Sequence, residues 1–195
     1  MALINVAARE IHCKIVYYGP GMGGKTSNLQ YIHSAVPKEV KGDLLSIATE
    51  TERTLFFDFL PLDLGKVRGF QTRFHLYTVP GQVLYERTRV AVLNGADGVV
   101  FVADAQKHKL EENIKSLKEL AHNVTKMNKN FREFPIVLQY NKSDLPNRLP
   151  TEKLDAFLNP PALNLHWQRY EAVANRGDGV FDTLKAISRL VISKL

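Results

Sequence analysis

Cysteine is almost absent from this chain, which has one among 195 residues. Cys13 lies in an apolar stretch and has no partner for an internal disulfide, which favours a reducing compartment. No stretch reaches the ~18 apolar residues that a membrane-spanning helix needs. The opening residues, MALINVAARE, lack the basic flank and apolar run of a secretory signal. We therefore expect a cytoplasmic protein.

Long runs of one charge are also missing. The chain has 26 Lys and Arg against 20 Asp and Glu, a net charge of +6. A positive charge of this size is compatible with nucleic acid or an anionic membrane surface. Because the basic residues are scattered among acidic ones, the sequence favours an ordinary solvated surface and no nucleic-acid partner. No cysteine stands near the C-terminus, so we expect no lipid anchor, and membrane association would need a partner.

Strand-like and helix-like stretches alternate along the chain. The pattern predicts one α/β domain over residues 1–195, with a mostly parallel six-stranded sheet, one antiparallel strand and helices on both faces. The antiparallel strand comes from a hairpin between TLFFDFLPL and FQTRFHLYTV, joined by the turn DLGKVRG. In such sheets, ligands bind where the parallel strands end. The motifs below all follow predicted strands.

A glycine-rich loop, GPGMGGKT at residues 19–26, stands between the strand EIHCKIVYY and a predicted helix. It matches G-x-x-x-x-G-K-[ST], whose backbone N–H groups and following helix bind phosphate. Lys25 is suited to the β- and γ-phosphates, and the Thr26 hydroxyl to Mg²⁺. The residues predicted to bind phosphate are Gly19, Gly21, Met22, Gly23, Gly24, Lys25, Thr26 and Ser27.

A second motif, NKSD at residues 141–144, follows the buried strand PIVLQY. The Asp144 carboxylate can accept hydrogen bonds from N1–H and the exocyclic amine of guanine, whereas adenine would leave it unpaired. Asn141 is positioned to tie this segment to the phosphate loop, and the Lys142 stem to cover the base. The two motifs together predict a guanine nucleotide, GTP or GDP.

With these motifs in place, the chain resembles the Ras-like small GTPases over nearly its whole length. More narrowly it is similar to the bacterial MglA group. Long stretches carry the resemblance: REIHCKIVYYGPGMGGKTSNLQYI, TERTLFFDFLP, GFQTRFHLYTVPGQV and NKSDLP. The resemblance implies a Ras-like P-loop G domain that binds GTP with Mg²⁺ and acts as a molecular switch.

The resemblance also implies roles for residues beyond the two motifs. Thr54 is expected to close over Mg²⁺ and the γ-phosphate. Gly81 is expected to meet the γ-phosphate through its N–H, and Gln82 to orient the attacking water. The family motif D-x-x-G-Q here reads TVPGQ, so Thr78 replaces the aspartate that normally anchors Mg²⁺ through water. From its alternation position we take Asp58 as the candidate for the missing carboxylate.

The weaker match EAVAN, in place of E-T-S-A-K, carries over only Ala174. Its backbone N–H is expected to reach the guanine carbonyl.

Arg53 precedes Thr54 in the sequence. The resemblance implies that it is an internal arginine that stabilises the transition state with Lys25 and Mg²⁺. Spacing alone favours a surface arginine paired with Glu50 or Glu52. The expected mechanism is in-line attack of water on the γ-phosphate, slow without an activator.

The resemblance names a partner and a role. The expected activator is an MglB-type homodimer of the roadblock class, which remodels the switch segments of a protein that is monomeric alone. The expected role is control of polarity and surface motility, by gliding or type IV pili, with recruitment to the cell poles by partners. Hydrophobic residues near the switches are candidates for contacts with activator and effectors, or ordinary core: Phe56, Phe57, Phe59, Leu84 and Tyr85. Two alternatives stay open: a nucleotide-bound scaffold that does not hydrolyse GTP, and a P-loop small-molecule kinase.

Overall fold

The computed structural model describes residues 2–48, 55–81 and 86–195. Within them a single mixed sheet is ordered β3-β4-β5-β2-β6-β7-β8, with β1 added alongside β2. The strands are β1 Leu3–Asn5, β2 Glu10–Tyr18, β3 Leu45–Ala48, β4 Leu55–Val67, β5 Phe70–Thr78, β6 Gly98–Asp104, β7 Ile136–Asn141 and β8 Gln168–Ala172. The α-helices are α1 Lys25–Ala35, α2 Glu86–Leu93, α3 Leu110–Lys126, α4 Thr151–Leu158 and α5 Val180–Ile192.

The α/β class and the parallel core of the sheet are confirmed. Strands β5, β2, β6, β7 and β8 pair in parallel, and β4 forms the predicted antiparallel hairpin with β5. Strand β6 is buried along its whole length, as a continuous apolar run requires when both faces are covered.

The predicted count of six strands is wrong, because the described residues form eight. Strand β1 pairs antiparallel with β2, and β3 pairs antiparallel with β4. Both are short, of three and four residues. Their sequences give no alternation long enough to distinguish a strand from a connection. Strand β4 also continues to Val67, so the hairpin turn is confined to Arg68 and Gly69 rather than the whole of DLGKVRG.

Two apolar layers cover the sheet, one on each face. On one face the buried side chains of α1 and α5, such as Leu29, Ile32 and Ile187, pack against the strands. On the other face α2, α3 and α4 contribute Leu93, Leu120 and their neighbours. The predicted helices on both faces are confirmed. No helix in the described ranges is long and apolar enough to cross a bilayer.

Candidate nucleotide-binding site

A cavity of about 360 Å³ opens where β2, β4 and β5 meet the start of α1. This is the carboxyl end of the parallel strands, where a ligand was expected. The cavity is lined by the phosphate loop on one side and by the ends of β4 and β5 on the other. Its lining residues are Met22, Gly23, Gly24, Lys25, Thr26, Ser27, Phe57, Asp58, Thr78, Val79, Pro80 and Gly81.

The phosphate loop is shaped by glycines that no other residue replaces without collision. Gly24 has a φ of 103°, and a Cβ there would overlap the Asn141 side-chain amide. Gly19 has a φ of 146°, and a Cβ would overlap the backbone oxygen of Val102. Both glycines therefore hold the loop close to the neighbouring strand ends, with its helix beginning at Lys25.

Gly81 lies directly against the phosphate loop. A Cβ at this position would overlap the backbone of Gly21. The loop after β5 thus contacts the segment that is predicted to hold phosphate. In the sequence, Gly81 comes 55 positions after Thr26, the last residue of the phosphate loop. The β2–β5 pairing, with Tyr17 opposite Thr78, brings the two loops together.

Lys25 is buried, with its ammonium group on the phosphate loop. Its Nζ donates hydrogen bonds to the carbonyl oxygens of Gly19, at 3.0 Å, and Pro20, at 2.7 Å. Burial and the nearby Arg89 charge lower the Lys25 pKa to about 8, although Asp58 acts in the opposite direction. A buried ammonium whose acceptors are neutral carbonyls is electrostatically suited to an anion.

Three hydroxyl groups converge on the carboxylate of Asp58, which is 3% exposed. Its Oδ2 accepts hydrogen bonds from Thr26 Oγ1 at 2.6 Å and Thr78 Oγ1 at 2.9 Å, and its Oδ1 accepts one from Ser46 at 2.8 Å. The Asp58 N–H in turn donates to Thr78 Oγ1 at 2.7 Å. The strands therefore bring together the two hydroxyls assigned to the metal site and the carboxylate proposed to compensate for Thr78. Oxygen donors of this kind fit Mg²⁺.

Asn141 links the two motifs that were found separately in the sequence. Its Nδ2 donates to the Gly23 carbonyl at 2.8 Å, and its Oδ1 accepts the Ala174 N–H at 2.9 Å. All of these groups are buried. The amide therefore holds the phosphate loop, the end of β7 and the loop after β8 in one arrangement, as expected for Asn141. The Ala174 N–H was expected to donate to the guanine carbonyl, but in this structure it donates to Asn141 Oδ1.

Lys142 and Asp144 project from the same turn. Lys142 has a positive φ of 63°, and its Nζ lies 2.6 Å from Asp104 Oδ2. The side chain of Asp144 is 33% exposed, and its nearest cationic neighbour is Arg176 at 3.9 Å. A carboxylate this accessible can accept hydrogen bonds from a ligand.

Several of the predicted residues lie outside the described ranges. They are Arg53, Thr54 and Gln82, together with Leu84, Tyr85 and the side chain of Phe56. Of the remaining contact candidates, Phe57 and Phe59 are half-buried and pack against Tyr77. These two rings thus belong partly to the sheet face.

Comparison with known proteins agrees with the geometry. The model of the ADP-ribosylation factor family matches residues 3–191. The chain belongs to this family. It is also 54% identical to the mutual gliding-motility protein MglA of Myxococcus xanthus strain DK1622, over the whole of this chain and 98% of that protein. It is therefore an MglA-type small GTPase.

The structure of this GTPase adds a residue that the sequence analysis missed. Asp104, the last residue of β6, is fully buried and accepts the Lys142 ammonium at 2.6 Å and the Gln106 N–H at 3.1 Å. A signal was available, because Asp104 ends a buried apolar strand at the edge where ligands bind. Its partner could not be read from the sequence, since Lys142 is 38 residues away.

A second unforeseen group joins the loop after β5 to α3. Arg89 of α2 is buried, with its Nε 2.6 Å from Glu119 Oε1, and one of its terminal nitrogens lies 3.5 Å from the Pro80 carbonyl. Glu119 also accepts the Tyr18 hydroxyl at 3.1 Å. Tyr18 directly precedes the phosphate loop, so this polar cluster links the loop to the start of the segment containing Gly81.

Proposed function

We propose that residues 1–195 form one GTPase domain that binds GTP and GDP and hydrolyses GTP to GDP and phosphate. The observation that carries the proposal is the bridge made by Asn141. It joins a phosphate loop, whose buried lysine donates to the carbonyl oxygens of Gly19 and Pro20, to the turn that presents Asp144. A pocket with these two halves suits a phosphorylated guanine better than an adenine nucleotide.

Mg²⁺ fits the oxygen donors around Asp58. In the proposed GTPase, Thr26 and Thr54 would hold the ion, and Asp58 and Thr78 would contribute indirectly. The ion would neutralise charge on the β- and γ-phosphates. The buried carboxylate of Asp58, already hydrogen-bonded to Thr26 and Thr78, supports its part in this assignment.

For hydrolysis, Gln82 orients water for in-line attack on the γ-phosphate, and the Gly81 N–H binds a γ-phosphate oxygen. Lys25 and Arg53 stabilise the negative charge that develops in the transition state. An arginine in this role accounts for ~10³ to 10⁵ in rate, about 4–7 kcal/mol of barrier. Turnover is slow until a partner arranges the segments that carry Arg53 and Gln82.

The role of the enzyme is a switch for motility. The relative from Myxococcus xanthus is named as a gliding-motility protein, and 54% identity to it supports a similar role here. We propose that an MglB-type roadblock homodimer activates hydrolysis without inserting its own arginine. Effectors bind the switch surface, and through them the protein controls polarity and motility by gliding or by pili. The protein is monomeric alone, and partners recruit it from the cytoplasm to the poles.

Single-turnover GTP hydrolysis, with and without a roadblock-type homodimer, tests this proposal. We expect slow hydrolysis alone, strong stimulation by the partner, and loss of at least 10³-fold of the stimulated rate in Arg53→Ala. Lys185→Ala, at an exposed position in the middle of α5, serves as the control. GTP binding without any hydrolysis would indicate the scaffold, and tighter binding of ADP than GDP would indicate the kinase.

A further inference from the structure

A pair of amide side chains is buried in the apolar layer that α1 and α5 form with the sheet. Asn28 of α1 and Gln139 of β7 are both fully buried. They exchange two hydrogen bonds, because Asn28 Nδ2 donates to Gln139 Oε1 at 2.7 Å and Gln139 Nε2 donates to Asn28 Oδ1 at 2.9 Å. The two residues are 111 positions apart in the chain, so their pairing is a product of the fold.

Every N–H of the two amides has an acceptor. The second Nδ2–H of Asn28 donates to the Gly24 carbonyl at 2.9 Å, and the second Nε2–H of Gln139 donates to the Thr183 hydroxyl at 3.1 Å. Thr183 is also fully buried, and it donates its own O–H to the Gly179 carbonyl at 2.6 Å. Turning either amide over would set N–H against N–H and break these bonds, so the network has a single arrangement.

Each residue of the network belongs to a segment that leads to or from the candidate site. Asn28 lies in the first turn of α1, directly after the phosphate loop, and Gln139 lies two residues before Asn141 on the same face of β7. Thr183 lies in the first turn of α5, which follows the loop that contains Ala174. The network therefore joins, for a second time, the three segments that Asn141 bridges.

Asn28 also acts on the phosphate loop itself. The Gly24 carbonyl accepts both the Asn28 backbone N–H, at 3.1 Å, and the Asn28 side chain. This carbonyl and the Lys25 N–H belong to one planar peptide unit and point in opposite directions, so holding the carbonyl fixes the direction of that N–H. The first N–H groups of a helix have no acceptor within it and are available to an anion. Asn28 thus orients one of the groups that are predicted to bind phosphate.

Stability alone gives no reason for amides at these positions. Neighbours on the same three elements, such as Leu29, Val137 and Leu184, are buried and apolar. A buried polar pair contributes little net stability compared with apolar side chains of the same size, because its hydrogen bonds replace bonds to water. What such a pair does supply is orientation, since its bonds form in one arrangement only. Its place between the segments of the site therefore suggests what it is for.

We propose that Asn28 and Gln139 are positioning residues that align the phosphate loop with the base-selecting turn at Asp144. The inference rests on the proposed function, since it assigns a role within the guanine nucleotide pocket. The pair fixes α1 against β7, and the two halves of the pocket lie at the start of α1 and the end of β7. A nucleotide engages both halves at once only when their separation matches its own length. A small shift of α1 along β7 therefore weakens phosphate and base contacts together.

The double variant Asn28→Leu, Gln139→Met tests the proposal. It removes both amides, but the Gly24 carbonyl keeps the backbone N–H of residue 28 and Thr183 keeps its bond to Gly179. The remaining polar groups of the network thus retain a partner. Freed of nucleotide, the variant should unfold at the same temperature as the parent protein or above it.

Calorimetry with GDP and IDP measures the alignment. IDP lacks the exocyclic amine that is predicted to donate to Asp144, so the ratio of the two affinities reports the base contact. In the double variant we expect GDP affinity to fall at least about tenfold, and the preference for GDP over IDP to shrink at least about threefold. A role confined to core stability would change the unfolding temperature and leave this preference as it is.

Ser188→Ala is the matched control. Ser188 is also buried on α5, and its hydroxyl has no hydrogen-bond partner among the described residues, so its loss should leave both affinities unchanged. GDP affinity equal to that of the parent in the double variant overturns the proposal, and so does a double variant that unfolds well below the parent. Lower affinity with an unchanged preference refutes the link to the base turn. A parent protein that binds ADP as tightly as GDP would contradict the proposed function instead, whatever the variants do.

Discussion

Thr78 and Asp58 are joined across neighbouring strands by reciprocal hydrogen bonds. The Thr78 hydroxyl donates to Asp58 Oδ2 at 2.9 Å and accepts the Asp58 N–H at 2.7 Å. A carboxylate from β4 therefore lies beside Thr26, where we propose that it takes the place of the aspartate of the family motif. The proposed metal site thus keeps one negative charge, which is supplied by Asp58 of β4 rather than by a residue at position 78 of β5.

We predict that Asp58→Asn weakens Mg²⁺-dependent GDP binding about 10- to 100-fold, because a neutral amide cannot balance the ion's charge. Titration of Mg²⁺ with a fluorescent GDP analogue measures the change. Ser46→Ala, which removes one hydrogen bond to the same carboxylate and keeps its charge, should have a much smaller effect. Combining Asp58→Asn with Thr78→Asp should restore most of the affinity. Unchanged Mg²⁺ dependence in Asp58→Asn would rule out this role.

The packing of Gly24 against Asn141 gives a steric prediction. Gly24→Ala introduces a Cβ that overlaps the Asn141 amide and should displace the phosphate loop, reducing GDP affinity by at least about tenfold. Gly95→Ala is the matched control, since Gly95 also has a positive φ, 74°, but faces open space. Both variants should lose about 1–2 kcal/mol of unfolding free energy from the left-handed backbone. Calorimetry that finds equal GDP affinity in the two would contradict the prediction.

Asp144 is predicted to select the base. In Asp144→Asn the side chain no longer offers two acceptors to N1–H and the amine of guanine, so GDP affinity should fall by ~10²-fold or more. A xanthine nucleotide, with a carbonyl in place of that amine, should gain affinity relative to the parent protein. Competition binding with GDP, XDP and ADP measures all three. Asp178→Asn, at the other carboxylate near Arg176, should leave the order of preference unchanged.

The lowered pKa of Lys25, about 8 in the free protein, predicts a pH dependence of nucleotide binding. Phosphate beside Nζ favours the charged amine, so the pKa rises on binding. Well below pH 8 the lysine is charged in both states, and binding exchanges no proton at this position. As pH rises above 8 the free protein loses its proton, so GDP binding takes one up and its affinity falls.

Isothermal titration at pH 8.5 in buffers of different ionisation enthalpy measures this uptake. We expect a substantial fraction of one proton for the parent protein. In Lys25→Arg the guanidinium stays protonated throughout, so the uptake from this position should vanish. Equal proton uptake in the two proteins would assign the effect to another group.

Much of the site could be predicted because its signals are local. A strand, a glycine loop and a helix follow one another within residues 10–35, and the chemistry of phosphate binding is contained in that stretch. The turn with Asp144 follows its own strand in the same way. Long apolar runs also predicted the central strands, since burial on both faces leaves a pattern that does not depend on which neighbours a strand has.

The features that the sequence could not reveal are those that depend on strand register and on contacts between segments far apart in the chain. The alternation of β4 made Asp58 a candidate, but its contact with Thr78 and Thr26 follows from the register of β4 and β5, which pairs Phe59 with Tyr77. Strands β1 and β3 were missed because each is short and is stabilised by pairing with a neighbour rather than by its own pattern.

The amino-acid order alone determined a guanine nucleotide pocket, because each half is built from residues a few positions apart. The tertiary structure alone decided how Asp104 meets Lys142 and how Arg89 meets Glu119. The physical reason is that parallel strands align all their beginnings at one edge and all their ends at the other. Asp104 and Lys142, which are 38 residues apart in the chain, are thereby brought together at the end of the sheet where the pocket lies.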